Sequence, residues 1–192
     1  MNPLLLIIAG PNGAGKTTSA MHLLPNVLRI RHFVNADLIA KGLSPFDPAI
    51  ANWTAAKIMV ERMRQLTDGR ESFAVETTLA SRSFVSVIKH CRQAGYCTGL
   101  LFIALANAEL AKKRVALRVS RGGHDVPDEI VERRFDLGLK NFFEIYSPIV
   151  DEWTFVENTG KVSATIAKRP QNDEADIYDK VRFTWFQELV KT

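Results

Sequence analysis

Hydrophobic residues along the chain fall into two alternating patterns. Short, nearly continuous apolar runs cover residues 4–9 (LLLIIA), 72–75 (SFAV) and 96–105 (YCTGLLFIAL). Runs of that length suit strands buried on both faces of a parallel sheet. Between them lie stretches with helical spacing. One is expected from Lys16 to Leu24, where Pro25 should stop it, and a long one follows Pro48 through Trp53, Ile58, Val60, Met63 and Leu66. Others cover residues 81–94, 109–121 and 127–146, the last with Pro127 at its start and Asp128 and Glu129 in its first turn, where acidic groups suit the helix dipole. Residues 29–35 alternate weakly and read as a second strand. Residues 153–157 and 162–167 read as two strands around the turn Asn158-Thr159-Gly160. A final helix is expected over 174–190 with Ile177, Val181, Trp185 and Leu189 as its apolar positions, and Trp53, Trp153 and Trp185 are expected at core or edge positions. Strands alternating with helices predict an α/β fold: a parallel sheet with helices on both faces, in a single domain over residues 1–192.

The loop after the first strand changes this from a fold into a chemistry. Gly10-Pro11-Asn12-Gly13-Ala14-Gly15-Lys16-Thr17, followed by Thr18, matches the phosphate-loop pattern G-x-x-x-x-G-K-[ST] at every fixed position. Glycines let the backbone amides turn inward around a tetrahedral anion, and the helix that follows aims its positive end at the same group. In such a loop the lysine reaches the β- and γ-phosphates and the Thr17 hydroxyl can coordinate magnesium. The ligand expected here is ATP with Mg²⁺.

In open α/β sheets ligands bind at the carboxyl ends of the strands. Those ends carry Asp37 and Glu76-Thr77-Thr78. Asp37 fits two roles equally: a base that accepts the proton of an acceptor hydroxyl, or the cap of a helix beginning at Leu38. Glu76 fits the holding of a metal-bound water or an acceptor hydroxyl, and it fits the satisfaction of loop backbone groups together with Thr77 and Thr78. No separate strand ends in the apolar-run-then-Asp pattern of a Walker B element. Arg114, Arg118 and Arg121 fall at steps of four and three, so on one helical face, and Gly122-Gly123 follows them. Such a segment reads as a lid over about residues 114–127, closing Arg118 and Arg121 on a phosphoryl group. A solvated basic face has the same spacing. His124 reads first as turn chemistry and as a lid contact.

Composition narrows little further. The 192 residues include 25 lysines and arginines against 21 acidic residues, a net charge of +4 with no polybasic run. No aromatic residues interleave with the lysines, so a nucleic-acid channel is not expected. Cys91 and Cys97, six positions apart, have neither metal-pair nor redox spacing and read as small hydrophobes. The N-terminal apolar run lacks a basic flank and runs into Gly-Pro-Asn-Gly, so a cytoplasmic chain without a membrane span is the expectation.

Taken in order, the phosphate loop with Thr18, Val34-Asn35-Ala36-Asp37, Val75-Glu76-Thr77-Thr78-Leu79, and Arg118 through Pro127 resemble the zeta-toxin-like family of small P-loop kinases. The likeness runs from about Leu4 to the Asn158-Thr159 turn. It implies that Lys16 binds phosphate, Thr17 ligates magnesium, Asp37 activates an acceptor hydroxyl, Glu76 serves the acceptor, and Arg118 and Arg121 contact the nucleotide phosphates. It also implies a phosphate-bearing small-molecule acceptor. In the better-known members that acceptor is a UDP-activated amino sugar, phosphorylated on a ring hydroxyl. This chain departs from the pattern with Thr77 where a glycine is expected. Beside this kinase reading stand a nucleic-acid 5′-hydroxyl kinase and an ATP-dependent switch without an acceptor. Nothing in the residues speaks to toxicity or to an antitoxin.

Overall fold

A computed structural model describes residues 2–123 and 125–191 of the chain. Its centre is a seven-stranded sheet of β1 (Leu4–Ala9), β2 (His32–Val34), β3 (Phe73–Thr77), β4 (Cys97–Ala104), β5 (Glu152–Glu157), β6 (Ala164–Arg169) and β7 (Asp176–Ile177), in the order β2-β3-β1-β4-β5-β6-β7. The first five strands in that order run parallel, whereas β6 and β7 are antiparallel additions at one edge. The helices are α1 (Lys16–Leu23), α2 (Ala36–Leu43), α3 (Asn52–Asp68), α4 (Phe84–Gln93), α5 (Ala108–Val119), α6 (Asp128–Asn141), the single turn α7 (Ser147–Ile149) and α8 (Lys180–Leu189). Among the described residues no helix is long and apolar enough to cross a membrane.

The period-two geometry of a strand sends successive side chains to opposite faces, and β1 shows what that does to the core. Leu5 and Ile7 join Phe73, Val75, Leu100, Phe102 and Phe155 in one apolar layer, covered by α3, α4, the end of α6 and α8. Leu6 and Ile8 enter the opposite layer with Ala20, Ala111, Val115, Val131 and Phe135, covered by α1, α5 and the start of α6. β1 is therefore buried on both sides, as an unbroken apolar run requires.

Several expectations need correction. The α-helical part of the first helix ends at Leu23, one residue before the expected Leu24, but Pro25 does not end the winding: residues Leu24–Leu28 continue as one π-type turn with Pro25 near its start, where proline has no N–H for the Met21 carbonyl. Arg29, with φ 55°, then ends the turn and delays β2 to His32. The last helix begins only at Lys180, and Ile177 belongs instead to β7. Its core contacts are Phe183 and Phe186, while Val181 is 81% exposed and Trp185 stays partly exposed. Trp53 is 74% exposed, because the buried stripe of α3 is Ala55, Met59, Met63 and Leu66. The expected lid also changes. Ala111 and Val115 fix α5 into the sheet-packed core, so residues 114–119 belong to the body, and Val126 near the start of α6 is buried in the same layer. Cys91 is buried and Cys97 half-buried, and both are free thiols.

Phe155 stacks on Phe102 at 5.4 Å and meets Phe186 edge-on at 5.0 Å. Phe155→Ala is expected to lose about 3–5 kcal/mol in a denaturant titration, the usual cost of emptying a buried aromatic site. An unchanged midpoint would mean that β5 and α8 do not share one cooperative core.

Candidate active site

The carboxyl ends of β1, β2 and β3 open into a cleft of about 470 Å³. Among the residues lining it are Asn12, Gly13, Gly15, Lys16, Thr17 and Thr18 from the loop region, and Asn35, Asp37, Glu76, Thr77 and Thr78 from the strand ends. Arg114, Arg118 and Arg134 line the other side, and Met59 and Phe84 add apolar wall.

The loop leaves β1 at Gly10, whose φ is 138°. A Cβ there would lie 2.1 Å from the carbonyl oxygen of Ile103 on β4, so only glycine lets the chain turn this close to its neighbour. Gly13 and Gly15 are also left-handed, and no side chain caps the N-terminus of α1 at Gly15. The first amides of an α-helix lack intrahelical acceptors, so this end can accept an anion. Lys16 is buried, and its ammonium donates to the Pro11 carbonyl at 2.9 Å. Burial pulls its pKa below the ordinary lysine value, opposed by the nearby Glu76 and Asp37 carboxylates and assisted by Arg118 and Arg134.

On the strand-end side, the structure settles one ambiguity about Asp37. The cap of α2 is Asn35, whose Oδ1 accepts from the Leu38 N–H at 3.1 Å. Asp37 is the second residue of the helix, exposed, with its carboxylate in the cleft lining. Glu76 lies on β3 itself, and its Oε2 accepts from the Thr17 hydroxyl and from Asn35 Nδ2, each at 2.8 Å. Burial raises the Glu76 pKa above the usual carboxylate value, and Asp37 adds to this. Lys16 and the two hydrogen bonds work against it. The Thr77 hydroxyl is committed to the Leu79 N–H at 3.1 Å, so it shapes the loop while lining the cleft. Asn141 of α6 holds that loop by donating to the Leu79 carbonyl at 2.6 Å.

The arginines are arranged differently from their spacing. After Val119 the chain closes a Schellman turn, with Gly123 N–H bonded to the Arg118 carbonyl at 3.0 Å and Gly122 N–H to Val119 at 2.9 Å. Gly122 is left-handed at φ 79°, and a Cβ on Gly123 would come within 2.4 Å of Arg118 Cγ. The glycine pair thus ends the helix and makes room for the Arg118 side chain at the cleft. Arg121 sits within this turn, exposed and outside the cleft lining, because the helical phase that aligned it with Arg118 is spent. Arg114 donates to the Gly13 and Thr159 carbonyls at 3.4 and 3.1 Å and so braces the loop. His124 lies outside the described residues.

Three residues of the site were not anticipated in their roles: Asn35, with its two bonds given above, Arg134 and Asn158. Arg134 of α6 faces the cleft and reaches Asn12 Oδ1 at 3.5 Å. Its position three residues after buried Val131 and one before Phe135 was the available signal. Asn158, beyond β5, donates from Nδ2 to the Ala14 carbonyl at 2.9 Å, a contact that no local pattern announces.

The cradle, the four cations and the oxygens of Thr17 and Glu76 fit a triphosphate that brings its own magnesium. Among the described residues no group of three or more His, Cys, Asp or Glu side chains gathers around a metal position, and magnesium in such sites rests largely on phosphates and water.

Comparison with known proteins agrees with this construction. The family model described as zeta toxin matches residues 44–181, nearly three quarters of the chain. A Haemophilus influenzae protein, described only as uncharacterized, is 25% identical over 130 residues, 68% of this chain and 91% of its own. Among solved structures, a chain of the AvrRxo1-ORF1:-ORF2 complex determined with ATP superposes with a TM-score of 0.79 at 16% identity. The match covers 98% of this chain and 64% of that one, so this chain spans somewhat less than two thirds of its length. A chain from the PezAT toxin–antitoxin system of Streptococcus pneumoniae gives a TM-score of 0.63 at 13% identity, over 99% and 86% of the two chains. At these identities the likeness is one of fold.

The Asn158 contact is testable without any ligand. Asn158→Ala is expected to leave the Ala14 carbonyl without its side-chain donor, lowering stability by about 1–3 kcal/mol. Amide hydrogen exchange should accelerate across residues 10–17 and remain slow in β1. Unchanged exchange there would show that the loop holds its shape without Asn158.

Proposed function

The chain belongs to the zeta toxin family, and on that premise we propose that it is a magnesium-dependent ATP phosphotransferase acting on a hydroxyl group of a small molecule. The observation that carries the proposal is the meeting, in one cleft, of a phosphate loop with its lysine and a carboxylate, Asp37, that does not serve as a helix cap. A switch protein needs the first of these and has no use for the second.

Each residue then has a task. The loop amides and Lys16 hold the β- and γ-phosphates. Thr17 donates its hydroxyl hydrogen bond to Glu76, which leaves its oxygen lone pairs for magnesium. When bound, the metal offsets the charge on the phosphate oxygens. Asp37 accepts the proton of the acceptor hydroxyl as that oxygen bonds to the γ-phosphorus and the bond to the bridging oxygen of ADP breaks. Arg118 and Arg134 stabilise the charge that spreads over the transferring group. Glu76 and Thr78 border the acceptor. The family resemblance makes a UDP-activated amino sugar the first acceptor to try, alongside nucleosides and short oligonucleotides. The true acceptor should raise ATP consumption above the hydrolysis background.

With that acceptor, Asp37→Asn is expected to slow single-turnover transfer by about 10²–10⁴-fold while ATP binding and thermal stability stay near wild type. Because Asn35 is the cap, loss of capping gives no second explanation for such a defect. Normal transfer by a folded, ATP-binding mutant would return the chain to the switch reading. A defect that shrinks at high magnesium would instead make Asp37 a metal ligand.

The arginine assignment differs from the one that spacing alone implies. Arg118→Ala and Arg134→Ala are each expected to lower kcat by about 10²-fold with a smaller effect on ATP affinity, whereas Arg121→Ala should stay within about twofold of wild type, as exposed substitutions usually do. Equal losses at Arg121 and Arg118 would show that the connection from 120 to 127 folds over the cleft.

A further inference from the structure

Asn35 uses both ends of its amide. It follows β2 in extended conformation (φ −137°, ψ 118°) and is buried. Its Oδ1 caps α2 through the Leu38 N–H at 3.1 Å, and its Nδ2 donates to Glu76 Oε2 at 2.8 Å. That same oxygen receives the Thr17 hydroxyl at 2.8 Å. One carboxylate oxygen thus joins the start of α1, the end of β3 and the β2–α2 junction.

The two bonds of Asn35 make different demands on the side chain. Capping needs only an oxygen, and aspartate or serine would supply it as well as asparagine does. The bond to Glu76 needs a donor. Aspartate would set a second carboxylate against Glu76, and serine is too short to span both partners. An amide is the side chain that does both.

We propose that Asn35 is a positioning residue for the nucleotide-bound metal. By donating to Glu76 it fixes the carboxylate that accepts the Thr17 hydroxyl hydrogen bond, and so keeps the Thr17 oxygen lone pairs turned toward the cleft. The same side chain ties the first turn of α2, which carries Asp37, to the metal side of the site. This rests on the reading of Thr17 as the magnesium ligand of bound ATP.

The test compares ATP affinity in magnesium with ATP affinity in EDTA, by calorimetry, for Asn35→Ser, Asn35→Asp and Asn35→Ala, with the melting temperature of the free protein recorded for each. Ser keeps the cap, so its melting temperature should stay close to wild type; Asp keeps the cap but sets its charge against Glu76, and Ala loses the cap, so both should fall below Ser. In all three the gain in affinity that magnesium confers should drop, by about tenfold for Ser, the usual worth of one hydrogen bond to a charged group. Affinity in EDTA should not change. In a Glu76→Gln background, Asn35→Ser should have little further effect, because the two residues act in series.

A full magnesium gain in the Ser and Asp variants would overturn the proposal and leave Asn35 as a cap. So would a loss that adds in full to that of Glu76→Gln. A wild-type protein whose ATP affinity does not respond to magnesium would sink the metal reading itself, whereas a normal wild-type response with an unaffected Asn35→Ser sinks only the role of Asn35.

Discussion

A phosphate loop holds an anion only while its amides converge, and here the convergence is imposed on the loop from outside. Within the loop, Ala14 N–H reaches the Pro11 carbonyl at 3.2 Å. Around it stand the Ile103 carbonyl against Gly10, Arg114 on the Gly13 carbonyl, and Asn158 on the Ala14 carbonyl. These belong to β4, α5 and the turn after β5. The register that pairs Ala9 with Phe102 brings Ile103 level with Gly10. Sheet register and loop conformation are therefore one property: a slip of β4 against β1 would reverse the faces of its side chains and move the carbonyl that Gly10 must pass.

The same parallel register assembles the rest of the site. Ile8 pairs with Glu76 and Ala9 with Thr77, so the carboxylate on β3 comes level with the end of β1. β2 stops three residues before Asp37, which reaches the cleft from the first turn of α2. The cations approach from the other side, on α5 and α6, helices held by Ala111, Val115, Val131 and Phe135 in the apolar layer beneath them. Positive and negative groups face each other across the cleft, each drawn from a different layer of the fold. Burial disfavours charge on both sides, lowering the Lys16 pKa and raising that of Glu76, and their mutual attraction offsets part of that cost.

This division explains what was legible in the amino-acid sequence. Residues 4–17 could be read almost to the residue, because a doubly buried strand and a phosphate loop both leave local signatures. Glu76 and Asp37 could be found because parallel strands bring their carboxyl ends to one crevice. What escaped depended on contacts distant along the chain or on helical phase. Asn158 meets Ala14 across 144 positions, and nothing near either residue marks the pair. Arg121 was aligned with Arg118 on the assumption that α5 continues, and the Gly122–Gly123 turn ends it. Arg134 lay hidden in an amphipathic helix as one more flanking charge. In α8 the apolar residues occupy more than one face, so periodicity chose Val181 and Trp185 where packing chose Phe183 and Phe186.

The family match begins at residue 44, after the phosphate loop, Asn35 and Asp37. The matched stretch carries Glu76, the three arginines of the cleft and Asn158, whereas the nucleotide loop and the carboxylate assigned as base lie in the segment before it. Neither stretch makes a site alone. They are joined across the sheet by the β1–β3 and β1–β4 pairings, and within the cleft by hydrogen bonds that cross from one stretch to the other. Asn158 and Arg114 hold loop carbonyls, while Glu76 collects Thr17 and Asn35 on a single oxygen. Each of these contacts pairs a side chain from the matched stretch with the loop or with the β2–α2 junction. Beyond the local cap of α2 by Asn35, the phosphate loop and the junction that carries the proposed base are thus held by residues at least 41 positions away, which is why the local motif announces the ligand and the fold decides how it is held.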